Sequence, residues 1–495
     1  MLKTIIEKTN QFVENIPKKE RKKYGQFFTS MKTAHYMASL FVIPKEQKVI
    51  SVLDAGAGSG ILSCAIIERL DKFEEIKEIK LTCYETDQNV LPLLKENLSF
   101  IQSQSSKCVT VNIITDNYIT SQYLDFNHIN VCDSISEKYD LVIGNPPYMK
   151  LKKNTPEAVA MSDICYGTPN MYFIFAAMGL FNLKNGCEMV YIMPRSWTSG
   201  AYFKRFRKYF LSEGKLLHIH LFRSRNKVFN KDNVLQEIII VKIKKMSVKP
   251  NAVTITTTNS NDDFNACKSL IVPYDIVVSE NESYVYLVTN ENEIKSLNRL
   301  SKWNKTLPEL GLRMKTGLIV DFRNRNILRS KKEDGVIPLF YSHHIIKGEV
   351  HFPVQKENEY ILTKQKGLTQ DNKNYLFVKR FTSKEETRRL QCGVYLAKNF
   401  PEYKKISTQN KINFIDGFNT EMSECLVYGL YVLFNSTIYD EYYRILNGST
   451  QVNSTEINSM PVPELDDIRE MGNEILKSND FSETNCNLIL QEYFS

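Results

Sequence analysis

Paired metal-binding motifs are missing from this sequence. Its ten cysteines stand singly between Cys64 and Cys486, with no Cys-x-x-Cys pair and no clustered histidines. That spacing argues against a structural zinc site, and we expect no metal. Cys64, Cys83 and Cys187 sit inside apolar runs and read as small buried hydrophobes of a reducing compartment. No apolar stretch reaches membrane-spanning length, and Met1-Leu2-Lys3-Thr4 lacks the apolar core of a signal peptide. The expectation is a cytoplasmic protein with no membrane role. Internal repeats and low-complexity tails are also lacking, which excludes solenoids and disordered arms.

What is present bounds the answer further. A chain of 495 residues is too long for one ordinary core, so two domains are the default. A hydrophobic share of 42% and a charged share of 24% describe a globular protein. The excess of 64 basic over 56 acidic residues, net +8, is mild. It is compatible with a polyanionic partner without establishing one.

From about residue 46 to 250, short apolar runs alternate with helical periodicity. Strands are expected at Val49–Leu53, Ile79–Tyr84, Val109–Ile114, Tyr139–Gly144 and Glu188–Met193. Helices fall between them, notably Gly60–Leu70, Val90–Leu98 and Met171–Leu183. Leu216–Leu221 and Gln236–Lys242 have no helix between them and suggest an antiparallel pair at the sheet's end. This rhythm specifies an α/β fold, a doubly wound, mostly parallel seven-stranded sheet. Residues 1–45 form a helical segment ahead of it. The Thr-, Asn- and Ser-rich stretch Ser247–Asp275 reads as a boundary. Residues 270–495 lack the rhythm and are expected to form a second, α+β domain.

Asn145-Pro146-Pro147-Tyr148 ends the fourth strand. Two prolines stop the strand and hold Asn145 extended. The result is a stiff strand end carrying a side-chain amide, a proline carbonyl and an aromatic ring. The amide oxygen of Asn145 and the Pro146 carbonyl can accept both hydrogens of a planar –NH2 group. The Tyr148 ring can stack on the flat system bearing it.

A second constellation leaves the first strand: Asp54-Ala55-Gly56-Ala57-Gly58-Ser59-Gly60. Gly56, Gly58 and Gly60 let the backbone turn sharply beside a ligand. Glu85 stands after the second strand, where an acidic residue meets ribose hydroxyls in this architecture. Asp54 would repel a pyrophosphate and welcome a sulfonium or amino group, which favours S-adenosylmethionine over a dinucleotide. Asp116, after the third strand, is placed to accept from an adenine amino group.

These segments, preceded by Tyr24-Gly25-Gln26-Phe27-Phe28-Thr29, resemble the N6-adenine DNA methyltransferases of the gamma arrangement, with a TaqI-like catalytic domain. Phe28 stands where that family usually has Tyr, and Ser30 where it usually has Pro. The resemblance implies a contact from Thr29 to the methionine carboxylate of S-adenosylmethionine. It implies that Phe229 stacks on the free face of a flipped adenine opposite Tyr148, with Phe222 as the alternative. It implies double-stranded DNA as substrate, a target-recognition role for residues 270–495, and a cognate restriction endonuclease on a separate chain. No Pro-Asp…Glu-x-Lys cluster precedes Tyr24, so a fused nuclease is not expected. Thr316–Arg323 and Asn447–Asn453 also resemble the PstI and BsuBI subgroup, whose target is CTGCAG. Arg313, Lys315, Arg323, Arg325, Lys379 and Arg380 are candidates for DNA contacts, with Arg388 and Arg389 beside them. The rival readings are an RNA N6-adenine methyltransferase and a protein glutamine methyltransferase. The second uses the same tetrapeptide but is a shorter chain without the Gln26-Phe27-Phe28 motif.

Overall fold

In the computed structural model, which describes residues 1–15, 29–44, 46–129, 136–223, 237–279, 284–383 and 385–494, the chain divides into two units. They are Met1–Thr289 and Asn290–Ser495. The first is built on a nine-stranded sheet in the order β3-β2-β1-β4-β5-β7-β6-β8-β9. Its strands are β1 Val49–Ala55, β2 Glu78–Tyr84, β3 Cys108–Ile114, β4 Tyr139–Gly144, β5 Leu183–Pro194, β6 Gly214–Phe222, β7 Ile238–Lys245, β8 Ala252–Thr258 and β9 Lys268–Pro273. β1 through β5 pair in parallel, and β7 runs antiparallel to both β5 and β6.

The parallel strands are apolar on both faces because helices cover both. On one face, α1 Leu2–Glu14, α2 Met31–Ser39, α3 Ile61–Leu70 and α4 Leu91–Gln104 share a core with Ile50, Val52, Leu81 and Ile143. α4 turns Leu91, Leu94, Leu98 and Ile101 inward at helical spacing. On the other face lies α5, Met171–Phe181, whose Gly179 abuts Met189 and Tyr191 of β5. α6, Lys204–Glu213, leads into β6.

The seven expected strands are joined by two more. β8 and β9 occupy the stretch read as a boundary, so the division falls after Thr289 rather than between residues 250 and 270. Threonine is polar but β-branched, and it suits a pleated strand when its hydroxyl is paired. Thr256 Oγ1 meets Tyr36 Oη (2.8 Å), His218 Nε2 (2.8 Å) and His220 Nδ1 (2.9 Å), and Thr258 Oγ1 meets His220 Nε2 (3.1 Å).

The second unit is α+β. Its six-stranded sheet contains β10 Leu312–Thr316, β11 Tyr375–Lys379, β12 Cys392–Tyr395 and β13 Ile412–Gly417, in the order β10-β13-β11-β12 and then two short strands. A five-stranded sheet and the helices α7 Glu424–Asn435, α8 Thr437–Leu446, α9 Leu465–Ser478 and α10 Glu483–Glu492 complete it. The aromatic phrases of this half are core: Phe340, Tyr375, Phe377, Tyr395 and Phe414 pack together.

Candidate active site

β1 lies between β2 and β4, so the chain winds outward on one side of β1 and resumes on the other. Ligands of open α/β sheets bind at that switch point, beyond the carboxyl ends of the strands. Gly56, Gly58 and Gly60 all adopt left-handed backbone there, with φ of 73°, 57° and 82°. The loop is tied to the end of β2. The N–H groups of Gly56 and Ala57 both donate to the Tyr84 carbonyl (2.9 Å), and Gly58 N–H donates to Glu85 Oε2 (2.9 Å). Asp87 N–H donates to Glu85 Oε1 (2.8 Å). Burial pushes the Glu85 carboxyl up. From β4, Asn145 Nδ2 donates to Thr29 Oγ1 (3.1 Å), and the Tyr148 hydroxyl donates to Asn145 Oδ1 (2.9 Å). The amide therefore has a fixed orientation, nitrogen toward Thr29 and oxygen toward Tyr148.

A cavity of about 280 Å³ lies among these groups. Thr29, Gly56, Gly58, Glu85 and Asn145, all named above as candidates, line it. Gly60 instead stands at the N-cap of α3. Asp54 is 1% exposed and lies behind the loop, outside the lining. Its Oδ2 accepts from Ser63 Oγ (2.7 Å), its Oδ1 has no partner, and burial pushes the carboxyl up to about 7. Asp116 is exposed and outside the cavity; the next residue, Asn117, faces in. Asn117 Oδ1 accepts from the Ile119 and Thr120 N–H groups of the following turn, and its Nδ2 donates to Glu157 Oε1 (2.8 Å). Pro146 is buried, and the Tyr148 ring meets Tyr172 edge-on (centroids 6.3 Å apart), both beside the cavity rather than in its wall. Phe229 and Tyr24–Phe28 lie outside the described residues. Phe222 is a buried core residue of β6.

Sequence reasoning missed the aromatic wall. Tyr84, Tyr118 and Phe175 line the cavity, together with Met149 and Met171. Phe175 sits on α5, which is apolar on nearly all sides, so nothing in its periodicity separates a wall residue from a core one.

The second-unit candidates separate by environment. Lys315 is paired with Asp416 (2.8 Å), and the Arg313 guanidinium lies over the Phe418 ring (5.3 Å). Arg323 and Arg325 are exposed, and Lys379 and Arg380 are half-buried at the end of β11. Arg388 and Arg389 are structural. Arg388 donates to the Phe434 and Ser436 carbonyls, and Arg389 is wholly buried. Among the described residues no cluster of His, Cys, Asp or Glu could hold a metal ion, and no helix is long and apolar enough to cross a membrane.

A doubly wound sheet with a glycine loop, an acidic residue after β2 and an amide after β4 defines a class I methyltransferase. The Eco57I restriction-modification methylase family matches residues 67–229. The type II methyltransferase M.BsuBI of Bacillus subtilis is 33% identical over 93% of this chain and 91% of its own length. M.PstI of Providencia stuartii is 31% identical over 95% and 93%. The fold of the type IIL restriction-modification enzyme MmeI, solved in complex with DNA, matches with a TM-score of 0.52 at 12% identity, over 87% of this chain and 65% of that one. The chain belongs to the type II methyltransferases of restriction-modification systems. Its methyl donor is S-adenosylmethionine, and the cavity fits that molecule. Glu85 suits a ribose diol, Tyr84, Tyr118 and Phe175 suit a purine, and the loop that lines the cavity carries only small residues, Gly56, Ala57, Gly58 and Ser59.

Proposed function

We propose that this protein methylates the N6 amino group of adenine at a specific sequence in double-stranded DNA, as the modification enzyme of a restriction-modification system whose endonuclease is a separate chain. The observation that carries this reading is Asn145, oriented by Thr29 and Tyr148, in the wall of the cavity that also holds the glycine loop and Glu85. An adenine must leave the duplex to reach it, at a cost of a few kcal/mol in stacking and pairing. Stacking on Tyr148 returns roughly 1–3 kcal/mol. Asn145 Oδ1 and the Pro146 carbonyl accept the two N6 hydrogens, which turns the nitrogen lone pair away from the ring. The Tyr148 hydroxyl already has a second acceptor, the Ile192 carbonyl (3.2 Å), so it can leave Asn145 Oδ1 to the base without losing a partner. S-adenosylmethionine supplies an electrophilic methyl group when bound. Positive charge would leave the sulfonium as it appears on nitrogen, and the methylated N6 would then release one proton to water, so fixed acceptors and positioning suffice without a strong base. The second unit supplies target recognition, and the relation to M.PstI and M.BsuBI supports CTGCAG as the site. The test is incubation with tritiated methyl donor and duplexes of varied sequence, followed by nucleoside analysis. Label in N6-methyl-2′-deoxyadenosine at one motif is expected. Label on RNA alone, on protein, or on cytosine would overturn the reading.

A further inference from the structure

One end of the six-stranded sheet gathers several loops of the second unit. β10 ends at Thr316, β11 ends at Lys379, and β13 begins at Ile412, in a register that sets Thr316 opposite Asn413 and Lys379 opposite Ile412. The segments 317–327, 380–383, 385–391 and 409–411 therefore emerge together. They are in close contact: a side chain at Gly317 would run into the carbonyl of Gln409. The segment 447–453 closes against them. Val452 N–H donates to the Arg380 carbonyl (2.7 Å), and Thr382 N–H donates to the Thr450 carbonyl (3.2 Å).

The 447–453 loop is held from inside. Buried Arg389 donates to the Ser449 carbonyl (2.7 Å), Asn413 Nδ2 to the Val452 carbonyl (2.6 Å), and the Tyr443 hydroxyl to the Gln451 carbonyl (3.1 Å). The Asn447 amide donates to buried Glu456. With its carbonyls drawn inward, the loop exposes Ser449 and Thr450 and leaves Gln451 half-buried at the rim. Beside it the Arg380 guanidinium donates to the Asn410 carbonyl (3.1 Å) and to Gln451 Oε1 (3.3 Å) and lies against the exposed Phe381 ring (5.6 Å). Arg323, Arg325, Lys379 and Lys411 add positive charge at this end. Asp321, Glu385 and Glu386 oppose it, and Glu386 is engaged by Ser383 N–H and the Gln391 amide.

We propose that this loop end is the base-reading edge of the second unit, with Arg380 and Gln451 as the pair that discriminates the target sequence in double-stranded DNA. The proposal rests on the methyltransferase reading above. An arginine fork matches the O6 and N7 acceptors of guanine, and a glutamine amide matches N7 and N6 of adenine. In the free protein one long hydrogen bond joins the two side chains; on DNA they exchange it for base edges. The buried anchors fix the backbone beneath them, so little order remains to be imposed on binding. The surrounding cations meet phosphates and carry no sequence information.

The test uses the full chain and a pool of duplexes with a randomised segment, read twice: by sequencing the duplexes that bind, and by mapping labelled methyl groups. Arg380→Ala, Gln451→Ala and Arg380→Lys are compared with wild type; the lysine variant keeps the charge and removes the fork. A motif enriched by the wild type is expected to relax at one or more positions in each variant, with preference there reduced roughly 5- to 150-fold. Cofactor affinity and melting temperature should stay near wild type. An unchanged motif, an equal loss on all sequences, or no motif enriched by the wild type would overturn the proposal. Selection by binding needs no methyl transfer. If the wild type selects a motif but labels no DNA, the enzymatic reading fails while the reading edge stands.

Discussion

Asn145 has one amide and two fixed neighbours, and its role can be separated from theirs. Asn145→Ala removes the acceptor but leaves the glycine loop and Glu85 intact. We expect methyl transfer to fall about 100-fold or more while cofactor affinity, measured by calorimetry, stays within a few-fold. Tyr148→Phe keeps the ring and loses a hydroxyl shared between two acceptors, so it should retain most of the rate. Tyr148→Ala should lose base flipping, read as a reduced fluorescence change of 2-aminopurine at the target. Equal rates in the two variants would remove the stacking role. Asp54 behaves differently because burial holds its carboxyl near 7 rather than 3.8. The folded chain retains a proton that the unfolded chain releases, so stability is lost as pH rises from 3.8 to 7 and the penalty is complete above 7. Asp54→Asn should therefore stabilise the fold more at pH 8 than at pH 5, by on the order of 3 kcal/mol in unfolding free energy from denaturant titrations. At this scale the places of Glu85 and Asn145 are legible in the sequence because strand ends and prolines mark them, whereas Thr29 is named only through the family resemblance. Sequence reasoning put Asp116 where Asn117 faces inward, since a one-residue difference in a turn leaves no periodic trace.

The parallel strands were legible as elements because continuous apolar runs admit little else once glycines and prolines bound them. β8 was not, since its threonines look like a linker until their partners are known. Those partners make a testable device. Tyr36 of α2 meets Thr256 and His218, and α2 begins next to Thr29. Burial lowers His218 to about 4 and His220 to about 3, against 6.5 in the unfolded chain. The unfolded chain takes up protons first, so the stability from these neutral rings is whole above pH 6.5 and is lost as pH falls toward 4. Melting temperatures recorded between pH 7.5 and 4.5 should fall along this limb, and His218→Gln or His220→Gln should flatten it. A limb of unchanged slope in both variants would assign it to other groups.

The whole chain joins a catalytic unit to a unit whose purpose the sequence signalled only through position and a few phrases. Its short strands and aromatic core have no repeating pattern, and its structural arginines are indistinguishable from contact arginines until burial is known. For the intact protein, DNA affinity should decline linearly on a logarithmic salt scale. Lys411→Ala should reduce that slope by about 1 without altering the preferred sequence, in fluorescence anisotropy titrations. A Lys411 variant with an altered motif would mean that this lysine touches bases.

The inward-drawn carbonyls of residues 447–453 have an evolutionary consequence. The loop is fastened largely through its backbone carbonyls by side chains outside it, so the outward side chains of Thr450 and Gln451 can be exchanged by single codon changes without removing those bonds. A lineage under pressure from new phages could retarget its modification enzyme at this rim while its chemistry stays untouched.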